Sequence, residues 1–87
     1  MNILEKANDI VFARKEEKER MYGPFEEGMD RAAKILSGML GYDVEAELIY
    51  KALIALKLSR ESYNHKEDNI LDAISYLASL DNYINKK

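Results

Sequence analysis

Lys57 and Arg60 stand three residues apart in the run Leu56-Lys57-Leu58-Ser59-Arg60. On a helix that spacing makes them neighbours on one face, with Tyr50 two turns earlier on roughly the same side. Their surroundings are apolar, and a buried charge without a partner is expensive, so something anionic must meet them. Asp68 and Asp72, four apart in the next helical segment, are the nearest acids in sequence. Two arrangements satisfy this chemistry. In one, the acids and cations close an internal ion-pair network that sets how two helices dock. In the other, the acids hold the cations in place and part of the positive charge is left for a phosphate. Arginine suits the second task because its planar fork matches phosphate oxygens. Cations wholly taken by protein acids, or left in open water, would leave no place for a guest.

Three weaker constellations stand beside it. Glu26-Glu27-Gly28-Met29-Asp30 could line one side of a helix and hold Mg2+ through oxygen. Its simpler reading is a pair of first-turn glutamates complementing the helix dipole. His65 is the single histidine; beside Asn64 at a helix start it caps or meets solvent, or else touches a ligand. With one histidine and no cysteine, His-based zinc sites and Cys–His nucleophile pairs are excluded. Ser37, Ser59, Ser62, Ser75 and Ser79 lack an elbow motif, and there is no glycine-rich phosphate loop. Tyr22 and Tyr76 could stack on a base, although a tyrosine beside an apolar stripe is ordinarily boundary packing. The candidate ligand set is therefore Tyr22, Lys57, Arg60, His65, Asp72 and Tyr76.

The elements that must carry these residues read as helices. The chain has 87 residues, one proline, four glycines and a net charge of -3, with acids and bases mixed along it. That length makes one domain, residues 1–87. No basic block is present, so a nucleic-acid surface is not expected. No apolar run is long enough for an export signal or a membrane span, and a cytoplasmic protein is expected. A first helix is predicted over Ile3–Lys18, capped by Asn2, with Ile3, Leu4, Ala7, Ile10 and Val11 on one face. The charged run Arg14–Arg20 reads as a solvated extension of it. A second helix is predicted from Pro24 to Leu40, burying Phe25, Met29, Ala32, Leu36 and Met39 and ending at a left-handed Gly41. A third, capped by Asp43 and reaching Tyr63, is apolar over so wide an arc (Val44, Leu48, Ile49, Ala52, Leu53, Ala55, Leu56, Leu58) that it reads as central. The fourth starts after Asn64-His65 and runs to Ile84 on the stripe Ile70, Ile74, Leu77, Leu80, Ile84, and its tail Asn85-Lys86-Lys87 should fray. The expectation is an all-α, compact bundle of four helices whose surplus of aliphatic surface points to a homo-oligomer.

Several short motifs, taken together, carry a likeness. Ile3-Leu4-x-x-Ala7, Tyr22-Gly23, Asp30-Arg31, Leu40-Gly41, Leu56-Lys57-Leu58-Ser59-Arg60, Asp68-Asn69-x-x-Asp72 and Tyr76 resemble a family of small helical proteins of unknown function frequent in bacteriophages and prophages. That family is in turn distantly similar to the all-α nucleoside triphosphate pyrophosphohydrolases of the MazG type, which are oligomeric and bind Mg2+ through Glu-Glu-x-x-Glu and Glu-x-x-Asp helices. The resemblance implies action inside an infected bacterial cell. This chain departs from the enzymes: Asn69 stands where the partner of Asp72 would be, and Lys57 and Arg60 replace a carboxylate cluster. Cations there would repel Mg2+ and attract phosphates directly. The resulting expectation is a binder of a nucleotide-like anion that works without catalysis or cofactor, sequestering a host signal as an anti-defence protein. One alternative is a divergent Mg2+-dependent hydrolase using Glu26, Glu27, Asp30 and Asp72. Another is a host-takeover protein that inhibits a bacterial enzyme by surface contact.

Overall fold

A computed structural model describes residues 2–9 and 24–86. Four helices make up the described chain: α1 (Ile3–Asn8), α2 (Phe25–Leu40), α3 (Ala46–Tyr63) and α4 (Glu67–Asn85). They pack as a chain of neighbours, α2 on α3, α3 on α4, and α1 on α4, with α3 and α4 sharing the largest contact. The all-helical bundle expected from the apolar spacing is therefore present, with no strand among the described residues.

Local chemistry explains where the helices begin and end. Asn2 caps α1 through its side chain, which accepts from the Glu5 N–H at 2.9 Å. The predicted extension of this helix to Lys18, its apolar residues Ile10 and Val11, and the charged run to Arg20 lie outside the described residues. Pro24 precedes the first turn of α2, where its missing N–H does no harm, and Gly41 closes that helix at φ 81°. The N-terminus of α3 differs from expectation. Asp43 does not cap it; the helix starts at Ala46, with Glu45 at the cap position and no side-chain cap bond. The cause is the Ser37 hydroxyl, which donates to the Ala33 carbonyl and accepts from the Val44 N–H, both at 2.7 Å. That link holds buried Val44 against the end of α2 and keeps residues 43–45 out of the helix.

The core is small. Met29, Tyr50, Ile54 and Leu80 are buried together, flanked by Ile49, Leu53, Tyr76 and Tyr83. Phe25 meets the Tyr50 ring edge-on at 5.7 Å, and Tyr83 leans on its other side at 5.3 Å. The predicted stripes are only partly buried. Met39 of α2, Leu77 and Ile84 of α4, and Leu48, Ala52, Ala55, Leu56 and Leu58 of α3 are exposed, while Ala33, Leu71 and Ala73 are buried instead. The first half of α4 is covered on two sides, by α3 and by α1, which is why Leu71 and Ala73 can both be buried. In the tail, Asn85 is helical and Lys86 pairs with Glu26 at 2.9 Å, tying the end of α4 to the start of α2, while Lys87 lies outside the described residues.

Candidate functional site

Residues from the candidate ligand set meet where α3 and α4 lie side by side. Lys57 and Asp72 form an ion pair at 2.8 Å, with side chains 17% and 32% exposed. The acid four residues earlier, Asp68, is exposed, and so is Arg60, one turn beyond Lys57. Arg60 makes no ion pair with another described residue. The internal network expected as one of two arrangements is thus present for Lys57, while the second cation faces solvent. Tyr76 lies one turn past Asp72, and its ring is stacked on Phe25 at 6.3 Å and 11°. Tyr22 lies outside the described residues.

His65 sits in the turn between α3 and α4, its Nδ1 against the carboxylate of Glu61. Glu61 is the organiser of this turn, a role its position in the sequence did not reveal. The other carboxylate oxygen accepts the Lys66 N–H at 3.0 Å and lies 3.4 Å from the Asn69 side-chain nitrogen. The His65 hydrogen bond, with the Lys66 and Asn69 donors behind it, holds the Glu61 carboxyl below its ordinary range. Lys6 does the same for Glu67 through a contact of 2.5 Å that ties α1 to the start of α4. The only signal available in sequence was the i, i+4 spacing of Glu61 and His65.

The acidic constellation of α2 does not converge with Asp72. Glu26 is taken by Lys86, Asp72 by Lys57, and Glu27 and Asp30 are exposed. Among the described residues no group of three or more histidine, aspartate or glutamate side chains could hold a metal ion. Glu27, Asp30, Arg31 and Lys34 border only an open depression along α2 itself, of about 310 Å³.

One further surface is conspicuous because it lacks charge. On an ideal helix of 3.6 residues per turn, Leu48, Ala52, Ala55, Leu56, Ser59 and Tyr63 lie within about 60° of the direction opposite Tyr50. Every one is exposed, Leu48 by 53%, Leu56 by 46% and Tyr63 by 94%. Ser62 borders this strip and turns its hydroxyl inward to the Ser59 carbonyl at 2.8 Å. The nearest charged side chains, Lys51 and Arg60, stand at its two edges. The helix thus carries apolar side chains on its outer side as well as on its core side.

The helices and their seam define a small all-helical bundle held by one aromatic core and a few inter-helix ion pairs. The chain belongs to the family described as "Domain of unknown function (DUF6378)", whose model matches residues 2–84. No curated protein and no solved structure matches it. No helix among the described residues is long and apolar enough to cross a membrane.

Proposed function

We propose that this protein works by contact with another protein chain, without catalysis, through the outer face of α3. The observation that carries the reading is the uncharged strip opposite Tyr50, where Leu48, Leu56 and Tyr63 stand in water on a helix whose other side is core. Covering apolar area is worth about 25 cal/mol per Å², so such a strip gains from a partner and gains nothing while bare. The ion pairs support the same reading, because Lys57 is matched by Asp72 and Glu26 by Lys86 within the fold. A photo-crosslinking residue at Leu56 or Tyr63 should give adducts to a protein chain, itself included, in bacterial cells expressing the protein. The same probe at exposed Lys34 should give none. Absence of adducts from both strip positions removes the reading.

A second reading, binding of a nucleotide-like anion, is weakened because Lys57 is taken by Asp72, and what is left of it rests on Arg60. It is exposed, carries no ion pair with a described residue, and lies one turn from a lysine already oriented by Asp72. Its fork could take a phosphate while Tyr76 and His65 lie on the same hairpin. A lone exposed charge contributes only about 0–1 kcal/mol, so the anion needs further contacts to bind well. Titration calorimetry against linear and cyclic nucleotides should give heat that Arg60→Ala abolishes. No heat with any member of the panel would count against it. The hydrolase reading draws less support, since Glu26 is paired with Lys86, just past α4, and Asp72 with Lys57 of α3.

A further inference from the structure

We infer that the occupant of the outer α3 face is a second copy of this chain, with the two α3 helices antiparallel across a two-fold axis between Ala52 and Ala55. This rests on the contact reading above and names its partner. A face that pairs with itself must bury no uncompensated charge, and the strip meets that condition: within about 60° of its centre every side chain is uncharged. Ala52 and Ser59 lie within about 20° of its centre and Ala55 about 40° from it, so two such helices can approach closely where Ala52 meets Ala55. Leu48, Leu56 and Tyr63 stand around them and supply the apolar area.

Charge at the ends decides the orientation. Asp43 and Glu45 are exposed just before α3, whereas Arg60 and Lys66 are exposed at its end and beyond, outweighing the one acid that follows them without an ion pair to a described residue, Asp68. None of these makes an ion pair with another described residue. An antiparallel pair centred between Ala52 and Ala55 sets Leu48 opposite Ser59 and brings Glu45 within a turn of Arg60 of the second copy. The acidic start of each helix then faces the basic end of the other, and the helix dipoles oppose. A parallel pair would instead set Glu45 beside Glu45 and Arg60 beside Arg60. One helix face covers less than the roughly 800 Å² per partner of a standard interface. The dimer should therefore be weak, with a dissociation constant on the order of micromolar.

The test uses the purified full chain in sedimentation equilibrium from low micromolar to near-millimolar concentration. A monomer–dimer equilibrium is expected, and Ala55→Glu should weaken it by at least about tenfold with far-ultraviolet circular dichroism unchanged, because it buries a carboxylate at the axis. Arg60→Glu and Glu45→Arg should each weaken dimerisation, and the two together should restore it. The chain has no cysteine, so chains carrying Leu48→Cys and Ser59→Cys can be mixed under oxidation. A disulfide between unlike chains, exceeding those between like chains, is expected of the antiparallel pair; preferential like-chain crosslinks would overturn it. A dimer that ignores Ala55→Glu also overturns it. Monomer at every concentration, alongside photo-adducts from Tyr63 to a different protein, sinks self-pairing but leaves the contact reading standing. Monomer without any adduct removes both.

Discussion

Tyr50 shows how the core of this protein is made and where it is imperfect. Its side chain is wholly buried, with the ring held between Phe25 and Tyr83, yet its hydroxyl has no hydrogen-bond partner among the described residues. Burial, then the negative charges of Glu26 and Asp30, push its pKa up to about 12. The ring is an asset and the hydroxyl a liability, because a buried donor left unmade costs about 1–3 kcal/mol. Tyr50→Phe keeps the ring contacts and should raise stability by about 1 kcal/mol in urea unfolding. A loss of stability in that variant would mean that the hydroxyl has a partner after all. Lys57 is the contrasting case. It reaches Asp72 across the seam, so a charge that looked out of place among leucines is matched by one acid from the neighbouring helix. Replacing it with an apolar residue alone would leave Asp72 short of its counter-ion.

At the scale of the helices, side chains that bridge turns decide where each one starts. Ser37 spends its hydroxyl on Val44 and so delays α3 until Ala46. Glu61 closes the α3–α4 turn through His65, Lys66 and Asn69, and α4 begins at Glu67, after Asn64-His65 as the sequence suggested. The pH dependence follows from the direction of the Glu61 shift. Its folded pKa lies below its unfolded value of about 4.3, so the folded state binds this proton less readily. The stabilisation is therefore present above about pH 4.3 and disappears as pH falls through the folded pKa. Thermal midpoints of the wild type and Glu61→Gln should differ at neutral pH and converge in acid. A difference that persists undiminished well below that range would show that Glu61 acts through something other than its charge. Both bridging roles were hidden in the sequence, where Ser37 and Glu61 resemble any other polar residue on a helix.

The whole molecule is short of covering material. Its radius of gyration is 13.8 Å, against about 12 Å for a compact domain of this length. Small domains bury a lower share of their surface than large ones, and here α2 and α4 meet on one side of α3, at Phe25–Tyr76 and Met29–Leu80, and leave its outer side exposed. The apolar excess that suggested an oligomer from sequence is located by the structure on one side of α3, with Ile35 and Met39 of α2 also exposed. Pairing through that face would need no further folding of the helix, so its cost would be the lost freedom of two chains and of the side chains at the contact.

Taken alone, the residue pattern determined the all-helical class, the extents of α2 and α4 to within a few residues, and the left-handed end at Gly41. These depend on local forces: spacing of apolar side chains, the missing N–H of proline, the freedom of glycine. It narrowed Lys57 and Arg60 to two arrangements and could go no further, because whether a cation meets an acid depends on which helix lies opposite. Only the tertiary structure settled that Lys57 meets Asp72 while Arg60 does not share it, and that the apolar girth of α3 splits into a core side and an outer side. Periodicity along one helix records how much surface is apolar. Which part of that surface is covered is decided by neighbours distant in sequence.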